Sequence, residues 1–258
     1  MKILSSVIDL ILASYVIWEI IQFVPRFRKL KQDIATGDTQ ARNKIYQRAI
    51  VFEWISALLA LCALGFDWSK LNPRNLAFDP ALFQSISGSS DFNYGNIAGV
   101  LFGMTVGTAV FIVLRLRANR RGAAHTRNLI APWFRKLLPD FSALLPVTNY
   151  ERLVWAAVAV SAGICEEIVF RGWLLNTLHD QIGLTGSTLI CAGALIFGLA
   201  HAYQKIPGII LTALAGAFFC VLYVKTGSLL LPILLHALVD LRFAFLPAPR
   251  AQLTPLES

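Results

Sequence analysis

The sequence predicts an all-α, polytopic membrane protein of about seven transmembrane helices, or eight, with an interfacial amphipathic helix. Three observations carry that prediction. Of 258 residues, 56% are hydrophobic and 15% charged, whereas a soluble domain carries about 25% charged residues. Mean hydropathy is +0.62. The apolar residues also fall in long runs, near the ~20 residues that cross a ~30 Å hydrocarbon core, with polar or basic segments between them.

The first run covers 3–24. It is longer than the ~7–15 apolar residues of a signal peptide and has no small-residue cleavage site. Its Asp9 and Glu19 are expected near the interfaces or facing the helix bundle. Pro25 follows, then Arg26, Arg28, Lys29 and Lys31, and the chain stays polar to Arg48. The second run covers 49–66, with Glu53 and Trp54 near its start. Residues 67–94 form a polar connection holding Pro73, Pro80 and a Ser/Gly cluster, the composition of a loop. The third run, 95–114, is charge-free, and Gly95, Gly99, Gly103 and Gly107 recur every fourth residue. That stripe suits close helix packing in lipid. Within the long basic connection 115–152, residues 130–145 mix apolar and charged side chains around Trp133 and Phe134, which fits an interfacial helix. Four further runs cover 152–178, 187–203, 207–224 and 228–246, and a Pro-rich tail covers 247–258. The organisation expected is an N-terminal transmembrane region, 1–128, a second membrane domain, 129–246, and the tail.

The net charge of +8 does not imply nucleic acid. Seven Lys/Arg lie in 25–48 and eight in 115–152, whereas 67–94 holds two and 172–186 none. Basic residues concentrated in connections follow the positive-inside rule, which places 25–48 and 115–152 on the cytoplasmic side. The four cysteines, Cys62, Cys165, Cys191 and Cys220, all lie in apolar runs and form no Cys-x-x-Cys pair. They read as small core residues, not as a disulfide framework or a zinc ribbon. Two carboxylates beside Cys165 also argue against a thiolate nucleophile there.

The informative stretch is Cys165-Glu166-Glu167-Ile168-Val169-Phe170-Arg171, at the end of a run uncharged from Val154 to Ile164. A charge near the centre of a membrane helix costs ~2.5–3.5 kcal/mol on insertion scales, so three ionisable groups here call for a reason. Glu167 and Arg171 are four apart with the acid first, the favourable order for a helical pair. Glu166 projects about 100° away at ~3.6 residues per turn. The reading is one supported carboxylate and one working carboxylate. Two histidines also lie in apolar runs: His201, one turn after Phe197, and His236, one turn before Asp240. His125 and His179 lie in connections. Buried polar groups must satisfy one another. Glu166, Glu167, Arg171, His201, His236 and Asp240 are therefore expected in one cavity, and a cavity with a base and imidazoles suits hydrolysis.

Glu-Glu-x-x-x-Arg, Phe-x-x-x-His and His-x-x-x-Asp, each in a separate late apolar run, resemble the CPBP family, also called the ABI family. These are type II CAAX-prenyl-protease-like and bacteriocin-processing intramembrane endopeptidases. The resemblance covers roughly 140–245 and makes 129–246 the peptidase domain. It implies a catalytic carboxylate at Glu166, assisted by His201 in activating water. His236 and Asp240 would stabilise the oxyanion, and Glu167 with Arg171 would be the supporting ion pair. The family pattern has Asn or Asp at the position of Asp240. A metal-free glutamate mechanism is the favoured reading. Zinc on Glu166, His201 and His236 is the alternative, although the sequence lacks the His-Glu-x-x-His of ordinary zincins. The partners expected are the lipid bilayer, in a bacterial cytoplasmic membrane, and a peptide or protein substrate, with no nucleic acid. The rival reading is a transporter or scaffold whose buried Glu and His residues relay protons or bind a cation.

Overall fold

The computed structural model describes residues 2–73, 76 and 141–245. The third run with its glycine stripe, residues 130–140 of the expected interfacial helix, His125 and the tail lie outside the described residues. Among those described, every regular element is helical. They are α1 (Lys2–Ala35), α2 (Ala41–Ala63), α3 (Asn149–Glu167), a π-helical segment (Ile168–Leu174), α4 (Leu175–Ile182), α5 (Gly186–Ala200), α6 (Lys205–Thr226) and α7 (Leu230–Leu241). α3, the π segment and α4 form one continuous rod.

Among the described residues, four helices are long and apolar enough to cross a membrane: Ser6–Ala35, Ala41–Ala63, Asn149–Ile182 and Ala202–Thr226. The chain is thus an integral membrane protein. At 187–203 and 228–246, where the sequence suggested full spans, the helices are shorter, with 15 residues in α5 and 12 in α7. Twelve residues rise about 18 Å at ~1.5 Å each. The polar segment 25–48 is also mostly helix. Pro25 sits inside α1, where its missing N–H costs one intrahelical bond, and the helix runs on to Ala35 through good helix formers. Only a tight turn with Gly37 at φ +86° separates it from α2. In that turn Lys44 donates to Asp38 at 2.8 Å, which holds the Asp38 carboxyl below its usual range.

Local chemistry sets the helix ends. Thr148 caps α3 by accepting from Glu151 N at 3.1 Å, while the Glu151 carboxylate accepts from Thr148 N at 2.9 Å. This reciprocal box satisfies donors that would otherwise be orphaned. The α4 and α6 helices end on left-handed glycines, Gly183 and Gly227. α5 ends at His201, and the reversal into α6 puts Lys205 at φ +61°.

α3 is the central post. α2 runs beside it in the same direction, because successive contacts rise together along both helices. Arg42 lies 3.7 Å from Glu151, the Tyr46 ring packs edge-on to Trp155 at 5.3 Å, and Trp54 donates to Ser161 at 3.0 Å. Tyr46 also donates to the Leu144 carbonyl. α7 runs the opposite way, with Trp155 donating to the Asp240 carbonyl at 3.0 Å and Gly163 packed on Ala237. α5 and α6 form a close antiparallel pair. α1 covers the rod: Asp9 accepts from Trp173 at 2.7 Å and Gln181 at 2.9 Å, and Glu19 accepts from Arg26 and, at 3.4 Å, Arg48. Both acids of the first run therefore face the bundle.

The outside of this bundle is apolar. Along α6, Ile206, Ile210, Leu214 and Phe218 form an exposed row at four-residue spacing, and Leu230, Leu234 and Leu238 do the same on α7. In water such rows would be liabilities, but in lipid they are the expected exterior. Cys191 belongs to this outside. It is exposed, which corrects its reading as a core residue, whereas Cys165 and Cys220 are buried.

The α3–α7 contact admits no side chain at Gly163. An added Cβ would lie 2.7 Å from Ala237 Cβ and 2.8 Å from its backbone N. Such overpacking costs about 1–3 kcal/mol, so Gly163→Ala should lower the melting temperature of the purified protein. An unchanged melt would show that the two helices do not meet this closely.

Candidate active site

The last turn of α3 carries Glu166 and Glu167, and the helix widens into its π segment immediately afterwards. π turns occur mostly as short insertions, frequently at functional sites. Arg171, inside this segment, donates from Nη1 to Glu167 Oε1 at 2.9 Å, and both side chains are 0% exposed. Its Nη2 donates to the Gly216 carbonyl on α6 at 3.2 Å. The guanidinium lies over the rings of Phe197 on α5, at 4.5 Å, and Phe219 on α6, at 5.4 Å. Planar charge over aromatic faces recovers part of the solvation lost on burial.

His236, on α7, reaches the same carboxylate. Its Nδ1 lies 2.8 Å from Glu167 Oε1. That oxygen also accepts from Arg171, so Nδ1 carries the proton and donates. The ring stacks on Phe219 at 5.2 Å and meets Phe197 edge-on at 6.0 Å. Its other nitrogen, Nε2, faces Glu166 Oε2 at 3.7 Å and Asp240 Oδ2 at 3.6 Å. Both are ion-pair separations, longer than a hydrogen bond. Glu166 Oε2 is buried and has no hydrogen-bond partner among the described residues.

Five of the six residues singled out in the sequence therefore converge: Glu166, Glu167, Arg171, His236 and Asp240. His201 meets the cluster through Phe197. Its Nδ1 bonds the Phe197 carbonyl at 2.9 Å, and its ring lies 4.8 Å from the Phe197 ring, which itself touches His236 and Arg171. A carbonyl only accepts, so Nδ1 of His201 is the donor, and Nε2 of the neutral ring is a free acceptor.

Glu53 was not among the site residues expected. It is 7% exposed on α2, and its Oε2 has no hydrogen-bond partner among the described residues. The charges it feels most strongly are Glu166, then Asp240, then His236. The sequence placed it near the start of a run beginning at 49, where an acid belongs at the interface. Because α2 begins at Ala41, Glu53 is mid-helix.

Among the described residues, no group of three or more His, Cys, Asp or Glu side chains is placed to hold a metal ion. Glu167 holds Nδ1 of His236, and the hydrogen bond of His201 goes to Phe197.

Fold and site define a class: a helical membrane protein that encloses a charged carboxylate–imidazole–guanidinium centre. Residues 148–242 match the family model of the Rce1-like type II CAAX prenyl endopeptidases, a family of peptidases. It is the family the three motifs resemble, and it contains all six residues named from the sequence. No curated protein and no solved structure matches the chain.

The Glu167–Arg171 pair should be structural. Removing one partner of a buried pair costs ~3–5 kcal/mol, because the other charge is left uncompensated. Arg171→Ala should therefore reduce folded protein and its melting temperature. Arg171→Lys should restore only part of that loss, since an ammonium cannot reach Glu167 and the Gly216 carbonyl as a planar fork. Normal stability of the alanine variant would contradict the pairing.

Proposed function

We propose that this chain is an intramembrane endopeptidase that hydrolyses a peptide bond of a membrane-associated protein or peptide, using water activated by Glu166. The family match supports peptidase chemistry. The observation that carries the residue roles is the position of His236, held by Glu167 on one nitrogen while the other faces Glu166 and Asp240.

The division of labour follows from hydrogen-bond accounting. Glu167 Oε1 already accepts from Arg171 and His236 and is fully buried, so it is a poor base. Glu166 and Glu167 each have an oxygen without a partner among the described residues, but the Glu167 side chain is 0% exposed and that of Glu166 is 22% exposed, so Glu166 is the carboxylate available to water. In the reaction, Glu166 takes a proton from water as the water oxygen bonds to the scissile carbonyl carbon. The carbonyl oxygen becomes an oxyanion. The C–N bond then breaks, and the proton held by Glu166 passes to the leaving nitrogen. His201 assists from its free Nε2, which can accept from the attacking water.

Stabilising the oxyanion sets a condition on His236. With Nδ1 donating to Glu167, a neutral ring has only a lone pair at Nε2. To donate to an oxyanion it must be the imidazolium, a charge matched by Glu166, Glu167 and Asp240 around it. Asp240 acts by orienting the ring, since an ionised carboxylate cannot itself donate. Zinc on Glu166, His201 and His236 is the alternative, and the metal-free reading routes no step through it. The substrate reaches this centre from the bilayer, and the basic 25–48 segment supports a cytoplasmic face for that side of the protein.

The test uses purified protein in lipid nanodiscs with a panel of membrane-anchored reporter peptides. Glu166→Gln should reduce kcat by about 10²–10⁴-fold, the usual contribution of a positioned base. His236→Ala should lower kcat by about 10²–10³-fold, as for a lost oxyanion donor, with little change in KM. Elemental analysis should find no stoichiometric metal. Full cleavage by Glu166→Gln would remove Glu166 as the base, whereas a phenotype of the chain that persists in Glu166→Gln while the wild-type protein cleaves none of the peptides would favour the transporter or scaffold. One zinc per chain, lost in both histidine variants, would make the enzyme a metallopeptidase.

A further inference from the structure

The family match begins at residue 148, so α2 lies outside it. Yet α2 packs against α3 and carries a buried carboxylate. Glu53 is 7% exposed and Oε2 has no partner among the described residues. One turn on, Ser56 is also buried, and its Oγ likewise has no partner among them. Residues three apart share a helix face, so the two oxygens point the same way. The contacts along α2 and α3 say where. Tyr46 meets Trp155, and Trp54 bonds Ser161. The next turns, 53–57 and 161–166, therefore lie side by side.

Two other groups feel the same charges. The phenol of Tyr203 and the thiol of Cys165 both lie within the fields of Glu53 and Glu166, and Tyr203 also within that of Asp240. A carboxylate aimed into lipid or plain packing would have no such company. A buried carboxylate with an unsatisfied oxygen is costly to keep, and Ala57 and Ala60 on the same helix show that small apolar residues serve the packing itself.

We propose that α2 forms a wall of the catalytic chamber, and that Glu53 is a positioning residue for the hydrolysis, sharing with Glu166 the proton taken from the attacking water. This rests on the peptidase reading. Two carboxyl groups at one site do not both ionise readily, so a single proton held between them is the stable arrangement. When Glu166 receives the proton, the pair holds it until the C–N bond breaks and the leaving nitrogen accepts it. No atom is gained or lost: one water adds, giving one carboxyl and one amine terminus.

The experiment has an arm that does not depend on activity. Melting temperatures of Glu53→Gln, Glu166→Gln and the double variant, measured on the full chain in nanodiscs, form a cycle. Groups that share a proton should give non-additive shifts, whereas additive shifts would overturn the pairing. In the kinetic arm, Glu53→Gln should lower kcat about 10²-fold, the cost of a misplaced reacting group, with KM nearly unchanged. Glu53→Asp should recover part of that loss. A Glu53→Gln protein as active as wild type, in a preparation where Glu166→Gln is dead, would overturn this inference and leave the peptidase reading standing. Non-additive melting in a protein that cleaves none of the peptides would keep the pairing and remove the catalytic reading. If Glu53→Gln fails to accumulate, Glu53→Asp carries both arms.

Discussion

The structure depends on one oxygen atom. Glu167 Oε1 accepts from Arg171 at 2.9 Å and from His236 at 2.8 Å, with Glu167 and Arg171 removed entirely from solvent. Each ion taken from water costs several kcal/mol even after relaxation. The cost is offset locally, by two charge-assisted hydrogen bonds on the carboxylate, the Gly216 carbonyl on the guanidinium, and two aromatic faces against it. Those partners come from the π segment, α5, α6 and α7. The charge cluster thereby fixes four elements to one another, and its geometry places Glu166 and Asp240 on the far side of the imidazole.

Lipid makes this arrangement more demanding. Helices in a bilayer gain little from burying leucine against leucine, so association relies on close packing of small residues and on polar contacts. Both occur here. Gly163 lets α7 approach α3 until Ala237 touches it, and a Cβ at Gly198 would lie 2.7 Å from the Ile209 carbonyl on α6. The exposed rows on α6 and α7 leave the apolar work to the exterior. The polar centre inside then specifies which helix faces meet.

Much of the centre was legible because polar residues in apolar runs are conspicuous. Glu167 with Arg171 could be paired from spacing alone, and His236 with Asp240 likewise. Three features were not legible. The π segment has no composition signal: Ile168 to Leu174 reads as ordinary helix, and only the backbone reveals the extra residue per turn. The sequence shows His201 closing an apolar run but not that α5 ends there or that its Nδ1 bonds the Phe197 carbonyl. Glu53 was discounted because hydropathy starts the second span near residue 49, while the helix itself starts at Ala41 through Arg42 and Tyr46, which bond to the 143–144 backbone. Span lengths suffered similarly. Hydropathy cannot see the breaks that leave α5 with 15 residues and α7 with 12.

The most direct test of the central claim reads the protonation of His236 itself. Histidine-selective ¹⁵N solid-state NMR on the protein in lipid distinguishes a protonated, strongly hydrogen-bonded Nδ1 from a bare one. The account predicts hydrogen-bonded Nδ1 protons on His179, His201 and His236, that His236→Gln removes one of these signals, and that Glu167→Gln shifts that one while the signals of the other histidines stay in place. A His236 signal unaffected by Glu167→Gln would mean that the carboxylate does not hold the imidazole, and the organisation of the site described above would be wrong.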